Sequence, residues 1–274
     1  MVYIVQQYWY GWRNQIRVLA EAGYRVLAPD QRGYNLSEKP PGYGAYRLDA
    51  LVRDVLGLIN TAGRENAILV GHDWGAAVAW QVTAEHPKRI EKLAIMNVPH
   101  PAVMVRTLRS SPAQLLKSWY IFFFQLPRLP EWSLRRRNFA AMRKIILRSS
   151  KPGAFPRGPG ALCRGVGPAG RLDRHAELVP GSIPPGAALV GKKISETPGW
   201  QDRRAHLDAM GYARYRPEPP DGLSKHQQCE QGRLVYFKDA AHWVQHDEPE
   251  HVNALLLDFL ENGLLWKKRD ARCW

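Results

Sequence analysis

Short apolar runs separated by helical segments are the feature that most constrains the fold of this 274-residue chain. Residues 67–70 read Ala-Ile-Leu-Val, residues 92–96 read Lys-Leu-Ala-Ile-Met, and a segment of helical composition lies between them. Brief runs of this kind are typical of strands that are buried on both faces of a parallel sheet. A strand followed by a helix and another strand predicts an α/β fold with a mostly parallel sheet.

The same alternation extends along much of the chain. Hydrophobic spacing and turn residues predict further strands and helices; the strands are 24–28 and 233–237, and the helices are 13–22, 46–60, 76–85 and 250–261. Residues 111–148 favour helices only, so a helical insertion interrupts the sheet, which then resumes. The stretch 151–222 holds 12 Gly and 11 Pro without a period, a composition that indicates irregular chain.

Charge and cysteine content exclude several classes of protein. The 39 Lys and Arg against 25 Asp and Glu give a net charge of +14, which would suit nucleic acid or an anionic membrane surface. The basic residues are scattered, however, and no nucleic-acid motif accompanies them, so we expect neither partner. No apolar stretch reaches the roughly 18 residues of a membrane span. Three distant cysteines suit neither a disulfide framework nor a metal site, and we expect a cytoplasmic protein.

The pentapeptide Gly71-His-Asp-Trp-Gly75 joins the strand at 67–70 to the helix after it. It has the form of a nucleophile elbow, with Asp73 in the position of the nucleophile. Glycines allow backbone to approach backbone in such a turn, and the N–H of Trp74 falls where an oxyanion would develop. A carboxylate is ionised at neutral pH, so it can attack carbon without a base and form an alkyl ester. For the pentapeptide alone, Asp73 as a helix N-cap is the alternative.

Hydrolysis of such an ester requires a base that activates water, and His242 is the candidate. It follows the strand predicted at 233–237, where the histidine of a hydrolase sheet would fall. Taken alone, His242 could equally be an ordinary loop histidine. Together with Asp73, in this order along the chain, it favours covalent hydrolase chemistry.

In five stretches the chain resembles the epoxide hydrolases of the α/β-hydrolase superfamily. The matching stretches, which lie within residues 8–150 and 229–262, are Ala28–Pro40, Gly71–Gly75, Met96–Pro101, Trp119–Pro127 and His242–Asp247. The resemblance implies an α/β-hydrolase fold whose core is formed by 1–101 and 229–274, with a helical cap at 102–150. It also implies a small-molecule epoxide substrate, a vicinal diol product and no cofactor or metal.

The resemblance assigns roles to four residues. Asp73 matches the nucleophile and His242 the general base. Trp74 matches the backbone oxyanion donor whose side chain lines the pocket. Tyr120 matches one of two cap tyrosines that donate hydrogen bonds to the epoxide oxygen; without the resemblance it would be interpreted as a core aromatic residue.

The chain also departs from the family's pattern. The family's first strands and its His-Gly-x-Pro loop should precede Tyr8, where only seven residues stand, so we expect an N-terminally truncated member. The second cap tyrosine and the charge-relay acid have no match in 151–228, which we expect to be an irregular segment in place of the rest of the cap and the acid-bearing strand. Asn97 occupies another acid position of the superfamily, so the acid stays unassigned. Asp202, Asp208 and Asp221 are available carboxylates, but none of them follows a predicted strand.

We hypothesise that this segment is read in a shifted frame, because one-base shifts there can encode both missing motifs. Sequencing the gene tests the idea, and an intact frame on both sides of the segment would overturn it. Two other functions stay open. One is a haloalkane or haloacid dehalogenase that uses the same Asp and His on a halide substrate. The other is an inactive remnant of the family.

Overall fold

The centre of the fold, among the residues that the structure describes, is a six-stranded sheet. The structure, a computed structural model, describes residues 1–5, 8–100, 129–156, 158–165, 209–214 and 231–262. In chain order the strands are β1 Val2–Val5, β2 Val26–Leu27, β3 Ala67–His72, β4 Ile90–Met96, β5 Ala209–Arg214 and β6 Gln231–Tyr236. The helices are α1 Arg13–Glu21, α2 Leu48–Thr61, α3 Trp74–Glu85, α4 Leu129–Arg148, α5 Gly160–Gly165, α6 Val244–Asp247 and α7 Pro249–Asn262.

The spatial order of the strands is β2-β1-β3-β4-β5-β6. The strands from β2 to β4 in this order are parallel to one another, whereas β5 runs antiparallel to both β4 and β6. The β3 strand therefore lies inside the sheet, with β1 on one side and β4 on the other. Its carboxyl end is followed by α3, the arrangement in which α/β proteins place their sites.

Helices cover both faces of this sheet because successive strand residues point in opposite directions. Val70 and Met96 belong to the core packed against α1 and α7, and Leu69 and Leu93 belong to the core packed against α2 and α3. Burial of each such large side chain stabilises the fold by about 1.5–3 kcal/mol. The two cores fix β3 between helical layers, so the turn at its end has a rigid support.

The helices predicted at 13–22, 46–60, 76–85 and 250–261 are confirmed within about two residues by α1, α2, α3 and α7. The helix α4 lies in the predicted helical insertion. None of the helices in the described ranges is both long and apolar enough to cross a membrane.

Two strands of the sheet were not predicted. Val2–Val5 forms β1, a buried inner strand that pairs with β2 and β3. Residues 209–214 form β5, so the expectation of irregular chain is wrong there; this segment has β4 and β6 as pairing partners on its two sides. The helix α5 lies in the same stretch, while residues 166–208 and 215–230 lie outside the described part.

Candidate active site

Asp73 occupies a sharp turn between β3 and α3. Its backbone has φ 51° and ψ −127°, a positive-φ conformation that non-glycine residues rarely adopt. The turn brings strand and helix so close that a Cβ on Gly71 would lie 2.8 Å from the Cα of Ala76. Glycine at position 71 is therefore required by the close approach of two backbones, as the elbow pattern predicted.

The Asp73 carboxylate lies near the imidazole of His242. The Nε2 of His242 lies 3.9 Å from Oδ1 of Asp73, and their side chains are 36% and 35% exposed. This distance is too long for a hydrogen bond. It leaves room for a water that contacts Nε2 at about 2.8 Å and still lies beside the carboxylate. The structure thus brings the two sequence-predicted residues together at the carboxyl end of the sheet.

Trp74 is the first residue of α3 and directly follows Asp73. The N–H groups of the first helical turn have no acceptor within the helix, and the helix dipole places partial positive charge at this end. The N–H of Trp74 is accordingly suited to stabilise negative charge that develops beside Asp73.

The backbone of His242 is held from both sides. Its carbonyl oxygen accepts a hydrogen bond of 2.7 Å from Nε2 of His72 and another from Nδ2 of Asn97. Its N–H donates to the carbonyl oxygen of Ser149 at 3.0 Å. The residue 149 follows α4, so the loop of the histidine contacts both the sheet and the helical insertion.

The rings of His72 and Trp243 lie against the imidazole of His242. The His72 ring centroid lies 4.8 Å from that of His242, and the Trp243 ring meets His242 edge to face at 5.4 Å. His72 is fully buried. Burial, together with the nearby His242, lowers the pKa of His72 to about 4. His72 is therefore neutral at pH 7, and its Nε2 carries the proton because its carbonyl partner can only accept.

Asp247 fastens the same loop to the end of the helical insertion. Its carboxylate accepts hydrogen bonds from the N–H of Lys151 at 2.9 Å and the N–H of Ala241 at 2.7 Å. Burial raises the pKa of Asp247 although both N–H groups oppose the shift. This role could not be predicted from the sequence, because Lys151 and Asp247 are 96 positions apart.

The other predicted site residues either lie outside the described part of the chain or make contacts other than those expected. Tyr120 lies outside the described residues, as do the candidate acids Asp202, Asp208 and Asp221. Within the described ranges, Asp73 is the carboxylate that reaches His242, and no second one is within ion-pairing distance of its ring. Asn97 lies next to the histidine as its acid position implied, but its side-chain N–H₂ contacts the backbone of residues 241 and 242. No cluster of potential metal ligands occurs in the described part of the chain.

Known proteins resemble the chain over most of its length. Residues 7–154 match the α/β hydrolase fold family. The AB hydrolase superfamily protein YfhM of Bacillus subtilis (strain 168) is 40% identical over 267 residues, which cover 93% of this chain and 87% of that protein. Epoxide hydrolase 2 of Caenorhabditis elegans is 33% identical and the match covers 95% of this chain and 72% of that protein.

A solved structure agrees with the sequence relatives. The crystal structure of the Bacillus megaterium epoxide hydrolase in complex with an inhibitor superposes with a TM-score of 0.70 at 25% identity, covering 95% of this chain and 92% of that one. The matches in sequence and in structure confirm the α/β-hydrolase fold and the resemblance to epoxide hydrolases. The chain is a hydrolase of the epoxide hydrolase family, built on the α/β-hydrolase fold.

Proposed function

We propose that the protein hydrolyses an epoxide to a vicinal diol through an alkyl ester on Asp73. The observation that carries the proposal is the placement of Asp73 on a sharp turn with positive φ, with Nε2 of His242 3.9 Å from its Oδ1. A nucleophile and a base at this separation suit two successive steps on one substrate carbon and one water.

In the first step, a carboxylate oxygen of Asp73 attacks a ring carbon of the epoxide. The ring carbon–oxygen bond breaks, and its electron pair stays on the ring oxygen. This oxygen takes a proton from Tyr120, the role that the resemblance assigns to that residue. The result is a hydroxyalkyl ester of Asp73. The step needs no base because the attacking carboxylate is already ionised.

In the second step, His242 removes a proton from a water molecule, and the water oxygen attacks the ester carbonyl carbon. The N–H of Trp74 stabilises the oxyanion that forms there, an interaction worth roughly 100- to 1000-fold in rate. When the ester bond breaks, His242 gives its proton to the leaving alkoxide, which departs as the diol. The regenerated carboxyl group of Asp73 loses its proton to solvent, and Tyr120 is reprotonated.

The proposal predicts that an ester accumulates when its hydrolysis is blocked. We expect the His242→Gln variant, incubated with styrene oxide, to gain the mass of one epoxide on the peptide that carries Asp73. Wild-type protein should release diol, and Asp73→Asn should show neither the adduct nor fast turnover. Assays of halide release from haloalkanes, run in parallel, separate this reaction from dehalogenation. Failure of His242→Gln to acquire any adduct would contradict the proposed function.

A further inference from the structure

We propose that His72 and Asn97 are positioning residues that hold the general base His242 by its backbone carbonyl. The inference rests on the proposed function, since it concerns the base of that reaction. Neither side chain reaches the reacting atoms in the mechanism above. Both act through the peptide group that carries the imidazole.

The two donors converge on one oxygen. Nε2 of His72 lies 2.7 Å from the carbonyl oxygen of His242. Nδ2 of Asn97 donates to the same oxygen and, at 3.2 Å, to the carbonyl oxygen of Ala241. A carbonyl oxygen has two lone pairs, so these two donors satisfy it fully.

Burial makes these hydrogen bonds difficult to replace. His72 is fully buried and Asn97 is 4% exposed, so water has no easy access to the carbonyl. Removal of a partner leaves such a buried group unsatisfied and destabilises the arrangement that depends on it. The N–H of His242 is also bonded, to Ser149. With both backbone groups held, the imidazole is left to move about its own side-chain bonds.

The arrangement ties the base to the nucleophile. His72 directly precedes Asp73 at the end of β3, and Asn97 directly follows the neighbouring strand β4. Asn97 has φ 60°, a left-handed conformation that asparagine tolerates better than most residues. The ends of two paired strands therefore set the separation between the Asp73 carboxylate and the His242 ring. A misplacement of about 1 Å in a site of this kind can cost about 100-fold in rate.

This role predicts a selective kinetic effect. His242 acts in hydrolysis of the ester, whereas the attack by Asp73 does not use it. Loss of the donors should therefore slow ester hydrolysis and spare ester formation. A purely structural role of His72 and Asn97 predicts a different result, in which folded protein is lost or both steps slow together.

The experiment compares single-turnover rates of His72→Leu and Asn97→Gly with wild type, using styrene oxide and quenched-flow mass spectrometry of the Asp73 peptide. Glycine at 97 removes the amide without straining a left-handed backbone. We expect ester hydrolysis to slow about 10- to 100-fold and ester formation to change less than about threefold. His72→Gln, whose amide N–H can replace the lost donor, should recover part of the rate. His251→Gln, on the exposed surface of α7, is the control and should behave as wild type.

Circular dichroism identifies variants that fail to fold. If His72→Leu or Asn97→Gly does not fold, the ester hydrolysis rate of His72→Gln is compared with that of His251→Gln instead. Unchanged ester hydrolysis in folded His72→Leu and Asn97→Gly, or equal slowing of both steps, would overturn the positioning role. If the His242→Gln variant forms no ester at all, the proposed function fails, and this inference fails with it. The two failures are distinguishable because failure of the positioning role alone still leaves an ester on the Asp73 peptide of His242→Gln.

Discussion

Replacement of Gly71 by Ala tests whether the turn at Asp73 depends on direct contact between backbones. An ideal Cβ at this position would lie 2.8 Å from the Cα of Ala76 and 3.0 Å from its N, and 3.0 Å from the carbonyl oxygen of Gly75. Ordinary contacts between carbon atoms are about 3.5–4.0 Å. Strand and helix would therefore have to separate by about 0.7 Å or more. Because all three neighbours are backbone atoms, no side-chain rotation can relieve the clash.

Overpacking of a buried site costs about 1–3 kcal/mol, and we expect Gly71→Ala to lose this much in free energy of unfolding, measured by urea denaturation. We also expect slower ester formation, because Asp73 moves with the turn. Gly57→Ala is the matched control: Gly57 is exposed on α2 and a Cβ there meets nothing within 4 Å. Alanine should stabilise that helix by about 0.5–1 kcal/mol. Equal stability and equal rate for Gly71→Ala and wild type would refute the close-approach argument.

Two further predictions concern stability. His72 and His246 are buried, and burial lowers their pKa values to about 4 and about 3. Both histidines take up protons on unfolding as the pH falls below ~6.5. The stability that comes from their neutral forms is therefore present above pH ~6.5 and is lost as the pH falls. For each histidine, the free energy of unfolding should fall by about 2 kcal/mol between pH ~7 and pH ~5. An unfolding free energy that does not change over this pH range in urea denaturation would contradict the prediction. Arg32 donates to both carboxylate oxygens of Asp54, so Arg32→Lys should cost about 1–2 kcal/mol. Arg53→Lys, in an exposed ion pair, should cost less than about 0.5 kcal/mol, and equal losses would count against the bidentate pair.

The parallel part of the fold could be predicted because its signals are local. The apolar run at 67–70 and the spacing of apolar residues in α2 and α7 each specify an element without knowledge of the rest of the chain. The strand β1 carries such a signal too, since Val2-Tyr-Ile-Val5 is rich in β-branched residues, but a run of four residues is too short to specify a strand by pattern alone. For β5 the local signal is weak, because glycine and arginine interrupt it. Its neighbours β4 and β6 supply the pairing instead.

The nucleophile and the base could be predicted for the same reason. The glycines around Asp73 indicate a tight turn, and His242 follows a segment whose sequence predicts a strand. The support of the base could not be predicted in this way. His72 and the carbonyl of His242 are 170 residues apart, and nothing in the local sequence of either indicates the other. Their hydrogen bond depends on the order of the strands, which only the folded chain establishes.

The central claim is that Asp73 forms a covalent ester whose carbonyl carbon is attacked by water. A single turnover of styrene oxide in heavy-oxygen water tests it most directly, with excess protein and mass analysis of the peptide that contains Asp73. The mechanism predicts that the heavy oxygen enters the Asp73 carboxylate and that the first diol released carries none. Heavy oxygen in the first diol, with an unlabelled Asp73 peptide, would contradict the mechanism because it requires direct attack of water on the epoxide.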